Sequence, residues 1–219
     1  MTSTTTAAVP SGYIRSVLGP RDPVMDDILR RSLLDDRLPT IQVDDNAARI
    51  LQLITQLARP QHVLEIGTLF GYSTIHLTRG LPDGGRVTTL EIDEATAQVA
   101  RRNLETAGVA DRVDVVVCDA LDYLTGLPAE TFGLIFIDAD KKSYPLYLQH
   151  CFPLLEPGGL LIADDAFALG DYDAERDPSG DARLEAQGIQ TFARAVGRSP
   201  RLFSAFIGTE SGLMISRKE

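Results

Sequence analysis

Between residues 62 and 163 the sequence switches repeatedly between two periods. Apolar runs at 62–67, 86–92, 112–118, 132–137 and 160–163 are separated by stretches with other spacing. In 94–107, Ala97, Ala100, Leu104 and Ala107 recur at helical intervals, and Gly108 follows as a stop. Residues 72–79 read as a second intervening helix. Several of the runs are near-continuous rather than alternating, as in strands covered on both faces. Strands of that kind alternating with helices predict an α/β fold, a doubly wound, mostly parallel sheet with helices on both faces.

The flanks are less regular. Residues 22–34 and 44–58 have helical spacing; Asp44 or Asp45 caps the second, and Pro60 follows its end. Residues 169–186 are polar and rich in Gly, Pro, Asp and Glu, and read as a solvated loop or an active-site lid. A helix using Ile189, Phe192, Ala193 and Val196 comes next. Strands at 202–207 and 212–216 then form an antiparallel hairpin at the sheet edge.

The 219 residues suit one domain, read as 21–219, behind a tail and the start of the N-terminal helices at 1–20. Residues 1–12 lack the basic start and apolar centre of a secretory signal and read as a mobile tail. No apolar run approaches the ~20 residues of a membrane span. Cys118 and Cys151 form no CxxC pair and read as reduced thiols of a cytoplasmic protein. The formal net charge of −10 argues against a nucleic-acid partner.

Residues 62–73 run from a strand through Glu65 into a turn with Gly67 and Gly71, then into a helix beginning near Ser73. The next strand ends at Glu91, Ile92 and Asp93. In a doubly wound sheet, ligands bind beyond the carboxyl ends of the strands. Glycines there admit positive φ and close approach. An acidic residue such as Glu91 can accept hydrogen bonds from both ribose hydroxyls of a nucleoside. A nicotinamide site has a similar acidic residue, but its G-x-G-x-x-G fingerprint cradles a pyrophosphate. Here the spacing is G-x-x-x-G, and Glu65 precedes the first glycine. A carboxylate there would repel a pyrophosphate and attract a sulfonium and an α-amino group. Asp119 and Ala120 end the third strand; Asp119 reads equally as an adenine contact or a helix cap.

The fourth strand ends at Asp138, followed by Asp140 and Lys141, and the fifth ends at Asp164 and Asp165. Neighbouring strands lie roughly 5 Å apart, so Asp138, Asp164 and Asp165 are expected to converge. Their mutual repulsion is relieved by a hard divalent cation, for which Mg²⁺ is the natural choice. Asp140 is placed by the cofactor, and Lys141 as a base or charge stabiliser.

These residues resemble the cation-dependent O-methyltransferases, the group of catechol and caffeoyl-coenzyme A O-methyltransferases. The resemblance runs from about Pro39 to Ser216. It is carried by Leu64-Glu65-Ile66-Gly67 with Gly71-Tyr72-Ser73, by Glu91-Ile92-Asp93, by Ile137-Asp138-Ala139-Asp140-Lys141, by Pro157-Gly158-Gly159 with Ala163-Asp164-Asp165, and by the late stretch from Ile207 to Leu213. It implies a seven-stranded class I methyltransferase sheet with the last strand antiparallel, and members that are often dimers. It implies S-adenosylmethionine as cofactor, with Glu65, Gly67, Gly71 and Ser73 around its methionine part. Glu91 and Ile92 are then at its ribose, Asp119 and Ala120 at its adenine, and Asp138 and Asp140 also beside it. Asp138, Asp164 and Asp165 hold the metal, and Asp138 and Lys141 are the catalytic pair.

Three departures qualify the resemblance. Asp165 stands where the family usually has Asn. Asn46 stands where an acidic cofactor contact is common. The region after Asp165 does not match the plant enzymes' substrate loop.

The expected reaction is attack of a hydroxyl oxygen on the sulfonium methyl, with a metal lowering the hydroxyl's pKa and Lys141, its own pKa lowered by that cation, taking or sharing the proton. The N-terminal half and the Asp164-Asp165 pair also resemble bacterial enzymes that methylate hydroxymalonyl on an acyl carrier protein for polyketide extender units. That acceptor would need a docking patch, for which Arg15, Arg21, Arg30 and Arg31 are candidates beside the reading that they are ordinary solvated charges. A catechol-type phenol is the alternative acceptor. A tRNA hydroxyuridine, a nicotinamide dehydrogenase and a non-catalytic nucleoside-binding module are the remaining readings.

Overall fold

The structure, a computed structural model, describes residues 9–19, 21–168 and 180–219. Seven strands form one sheet in the order β3-β2-β1-β4-β5-β7-β6. They are β1 (His62–Ile66), β2 (Arg86–Glu91), β3 (Val113–Val117), β4 (Phe132–Ile137), β5 (Leu155–Ala163), β6 (Leu202–Ile207) and β7 (Leu213–Lys218). The first five pair in parallel, and β7 pairs antiparallel with both β5 and β6. This is the Rossmann-like class I methyltransferase arrangement, and the expected edge hairpin is present.

The continuous apolar runs follow from where the strands lie. All six residues of β4 are buried. Leu134 and Phe136 enter one core, with Met25, Leu51 and Ile75 from the helices on that face. Ile135 and Ile137 enter the other, with Tyr144, Ile189 and Phe192. A strand in such a position has no solvent side, so period-two alternation disappears.

On the first face lie α2 (Pro23–Arg30), α3 (Asp45–Ala58), α4 (Tyr72–Gly80) and α5 (Glu94–Thr106). The Asp44 side chain accepts from the amides of Asn46 and Ala47, so Asp44 rather than Asp45 caps α3. The segment read at 22–34 is α2 prolonged by a π-helical turn, Arg31–Asp35. On the second face lie α7 (Tyr144–Leu154) and α8 (Asp181–Gly197).

The start of the N-terminal helices expected within 1–20 is α1 (Ser11–Val17), in which no residue is buried. Two helices carried too little signal to be expected, of which α6 (Ala120–Leu124) has five residues. In α7 Pro145 occupies the first turn, where its missing N–H has no role, and Pro153 sits next to the end. β5 begins five residues earlier than expected. The last part of the polar stretch at 169–186 belongs to α8, while 169–179 lie outside the described residues, as does most of the expected N-terminal tail. The helix shows its polar face there, and burial begins at Ala186.

Candidate active site

The carboxyl ends of β1, β2, β3 and β4 open into a cavity of about 690 Å³. Gly67, Ser73, Glu91, Ile92, Asp119, Ala120, Asp138, Asp140, Lys141 and Asp165 all line it. The expected cofactor and catalytic residues therefore converge, apart from Glu65, Gly71 and Asp164.

Glu65 is fully buried beneath the cavity rather than on its wall. Its Oε2 accepts from the hydroxyls of Thr74 and Thr89, the latter at 2.7 Å, while Oε1 has no partner. Burial pushes its carboxyl up to about 7, opposed by hydrogen bonds from Ser73, Thr74 and Thr89 and aided by nearby Asp138. A buried carboxylate oxygen without a donor is costly unless a ligand cation or donor reaches it, which fits the α-amino or sulfonium end of S-adenosylmethionine.

Gly67 has φ of +98°, and a Cβ there would lie 2.0 Å from the backbone oxygen of Asp138. Glycine at this position thus lets β1 and β4 end side by side, which places Asp138 at the cavity floor. Gly71 differs from expectation. It is the left-handed cap of α4, and its missing Cβ faces Ala100 on α5 rather than the cavity.

Glu91 is held by three backbone amides, those of Leu69, Ile92 and Asp93, at 2.9 to 3.1 Å. The next side chain, Ile92, is 74% exposed on the cavity wall, an apolar surface offered to a flat ring. For Asp119 the cap reading holds, since its Oδ1 accepts from the amides of Leu121 and Asp122. Lining the cavity as well, it retains its second oxygen. Asp140 is tied by Ser143 Oγ at 2.6 Å. Asn46 is on α3 but lines a separate, smaller cavity, so it offers no replacement for an acidic cofactor contact.

Asp138, Asp164 and Asp165 each present an oxygen, and these lie within 4.8 Å of one another. Asp164 is the most buried; its Oδ1 accepts from Ser211 Oγ at 2.7 Å. Burial and repulsion from Asp138 and Asp165 push its carboxyl up to about 8. Burial likewise raises Asp138. Asp165 sits at φ of +53°, a left-handed conformation that Asn and Asp tolerate better than most residues. The turn aims its carboxylate back at the other two.

Into this cluster projects Lys141. Its Nζ is 2.6 Å from Asp138 Oδ1, 2.7 Å from Asp165 Oδ2 and 3.2 Å from the buried Tyr144 hydroxyl. Burial favours the neutral amine, but Tyr144, Asp138 and Asp165 together outweigh it and raise the Lys141 pKa. In this arrangement the lysine is an ammonium among carboxylates; the lowering expected of it belongs to the cluster with a cation bound. Three clustered carboxylates gathering the nearest available cation are a donor set that fits a divalent ion.

Three contributors were missed in the sequence. Tyr144 bonds Lys141, and its hydroxyl lies 3.2 Å from the Asp164 carbonyl; its position three residues after Lys141 was the available signal. Ser211 anchors Asp164 from the β6–β7 turn. Gly188 on α8 packs against the Lys141 loop, where a Cβ would lie 2.2 Å from the Lys141 carbonyl oxygen. Nothing in the local sequence around Gly188 points to a site more than forty residues away.

Each of the four arginines considered for a docking patch is engaged with a carboxylate. Arg15 pairs with Glu210 at 3.6 Å, Arg21 with Asp26 and Asp45, Arg30 with Asp27 and Asp35, and Arg31 with Asp27. These intramolecular pairs, made at the surface, offset part of the arginines' charge toward an acidic carrier protein.

Among known proteins, the family model described as O-methyltransferase matches residues 17–219. A catechol O-methyltransferase of Mycobacterium tuberculosis is 39% identical over 197 residues, 90% of this chain and 87% of that protein. One of Niastella koreensis is 41% identical over 163 residues, 72% of each. The crystal structure of the O-methyltransferase from Bacillus cereus in complex with SAH superposes with a TM-score of 0.84 at 36% identity, covering 95% of this chain and 96% of that one.

Proposed function

The chain belongs to the O-methyltransferase family, and we propose that its acceptor is a small catechol-type phenol, methylated beside a divalent cation held by Asp138, Asp164 and Asp165. Dependence on S-adenosylmethionine and transfer to a hydroxyl come with the family and its relatives. The nicotinamide and binding-module readings fall with that membership. The observation that carries the metal and the acceptor is the convergence of three carboxylates and Lys141 on the rim of the cofactor cavity.

In this reading Glu65 and Ser73 face the methionine end of the cofactor, Glu91 takes the ribose hydroxyls, and Ile92, Asp119 and Ala120 border the adenine. Asp140 supports the amino group. A divalent cation bound by Asp138, Asp164 and Asp165 would supply positive charge that lowers the pKa of the acceptor hydroxyl. A cation held by Asp138, Asp164 and Asp165 would take up the carboxylates that hold Lys141 as an ammonium, so that its proton is released and the neutral amine can take the hydroxyl proton; Tyr144 and Gly188 fix where its Nζ stands. Between the ends of β1 and β4 the chain holds the acceptor oxygen near the methyl group, and that alignment is worth several kcal/mol of barrier.

The hydroxymalonyl carrier-protein acceptor has less support. The relatives of 41% and 39% identity are catechol O-methyltransferases, and the four arginines are each already paired with a carboxylate. The reading further takes 21–219 as one catalytic domain of a cytoplasmic homodimer with no nucleic-acid partner. Among the described residues no helix is long and apolar enough to cross a membrane.

The test is methyl transfer to catechol and to hydroxymalonyl carrier protein, each with Mg²⁺ and with chelator. Metal-dependent methylation of the phenol supports the reading, and turnover of the carrier-bound acid alone replaces it.

A further inference from the structure

A second cavity, of about 160 Å³, lies beneath α1. Gln42, Val43 and Tyr72 belong to its wall and also to the wall of the large cavity. Its far side is closed by Glu210, whose neighbour Ser211 bonds Asp164. The small cavity therefore adjoins the cofactor pocket through three shared wall residues, and its Glu210 wall directly precedes the residue that bonds Asp164. Its volume admits on the order of five water-sized groups, enough for a short side chain.

The charges lining it are satisfied. Asp44 accepts from the amides of Asn46 and Ala47 through Oδ1 and from the Glu210 amide through Oδ2. Asp45 accepts from Arg21, Arg49 and the Tyr72 hydroxyl. Arg15 pairs with Glu210. Left over are the side-chain amides of Asn46 and Gln42, and of the two only Gln42 has a buried oxygen, Oε1, with no hydrogen-bond partner. A charged guest would meet a wall whose ions are already paired, and would lose its hydration without compensation. A neutral polar guest can satisfy the spare amide, which can present either its donor or its acceptor end.

We propose that the cavity beneath α1 is an annex of the acceptor site that takes a short, uncharged polar side chain of the phenol, and that Gln42 is the residue that selects it. The inference rests on the phenolic reading above. It makes the preferred acceptor a ring-substituted catechol bearing a hydroxyl or amide on a one- or two-carbon arm rather than catechol itself. Tyr72, locked by Asp45, is the partition that limits the length of that arm.

The experiment compares catechol with its hydroxymethyl and carboxamide derivatives in the Mg²⁺-loaded protein, wild type and Gln42→Leu. Leucine keeps the volume and removes the amide. Loss of one neutral hydrogen bond predicts that the kcat/KM ratio, derivative over catechol, falls about tenfold in the variant. The same ratio is read without turnover by titrating the phenols into the protein loaded with Mg²⁺ and S-adenosylhomocysteine. An unchanged ratio in either measurement overturns the annex. If the wild type binds the derivatives selectively and methylates none of them, the phenolic reading fails while the annex stands. Melting curves confirm that the variant is folded, and Gln42→Asn, with a shorter amide, is expected to retain part of the preference.

Discussion

Lys141 Nζ stands 2.6 Å from Asp138 Oδ1, on the last turn of chain before α7, so the candidate base and the first candidate metal ligand neutralise one another. Both come from the few residues that follow β4. Their contact is set by backbone packing: the Asp138 carbonyl leaves no room for a Cβ at Gly67, and the Lys141 carbonyl leaves none at Gly188. Whatever binds at the cluster must compete with that ammonium for two of the three carboxylates.

Asp138→Ala is expected to lower kcat on the order of a thousandfold and to abolish the response to Mg²⁺, since it removes a carboxylate shared by metal and lysine. Steady-state methyl transfer against metal concentration checks this. Full activity without added metal contradicts it.

Lys141→Arg keeps the positive charge between Asp138 and Asp165 but replaces an amine whose proton a bound cation would help to release with a guanidinium that stays charged. The expected loss is between about a hundredfold and ten-thousandfold in kcat, the usual range for a general base. Cofactor affinity, read by titration, should change far less.

Asp165→Asn retains a residue suited to the left-handed turn, so the fold should hold. One negative charge leaves the cluster. The midpoint of metal activation is expected to move to higher Mg²⁺, measured by titrating activity with the ion.

Glu65 links stability to pH. Its folded carboxyl, pushed up to about 7 by burial, lies above its ordinary 4.5, so between these values the folded protein holds the proton more tightly than the unfolded chain. The contribution is full below about 4.5 and is lost as pH rises through 7. Glu65→Gln removes it. The variant should gain stability relative to wild type between pH 5 and pH 8 by up to about 3 kcal/mol, read from denaturant unfolding of the cofactor-free proteins. A difference that does not change with pH would count against this account of the buried carboxyl.

Asn103 donates from Nδ2 to Ser32 Oγ at 2.9 Å and to the Phe70 carbonyl at 3.0 Å, all within the core. Asn103→Ala leaves that carbonyl buried and unpaired, at an expected cost of about 1–3 kcal/mol. Since Phe70 lies in the turn below the cofactor cavity, weaker binding of S-adenosylhomocysteine should accompany the lower melting temperature.

The fold was legible where burial on two faces erased strand alternation and where helices kept an amphipathic stripe, as in β4 and α5. α7 was not legible, because prolines near both ends and burial around it hide its period. The carboxylate cluster could be read because strand ends in a parallel sheet converge, so Asp138, Asp164 and Asp165 could be brought together from spacing alone. Glu65 was found, but its burial beneath the cavity was not, since sequence gives the strand end and not the side chain's depth. The state of Lys141 depends on distances of a few tenths of an ångström to Asp138 and Asp165, and sequence carries none of these. Gly188 acts from an element remote in the chain and was invisible for that reason, while Ser211 stood within the late stretch 207–213 but its contact with Asp164 is set by the sheet order and not by local sequence.

Methyl transfer from S-adenosylmethionine to a catechol, followed as Mg²⁺ is titrated in and then removed with chelator, tests the central claim most directly. The account predicts saturable turnover that appears with the metal and vanishes with chelator. Equal turnover in chelator, or methylation of no phenol at any metal concentration, would contradict it.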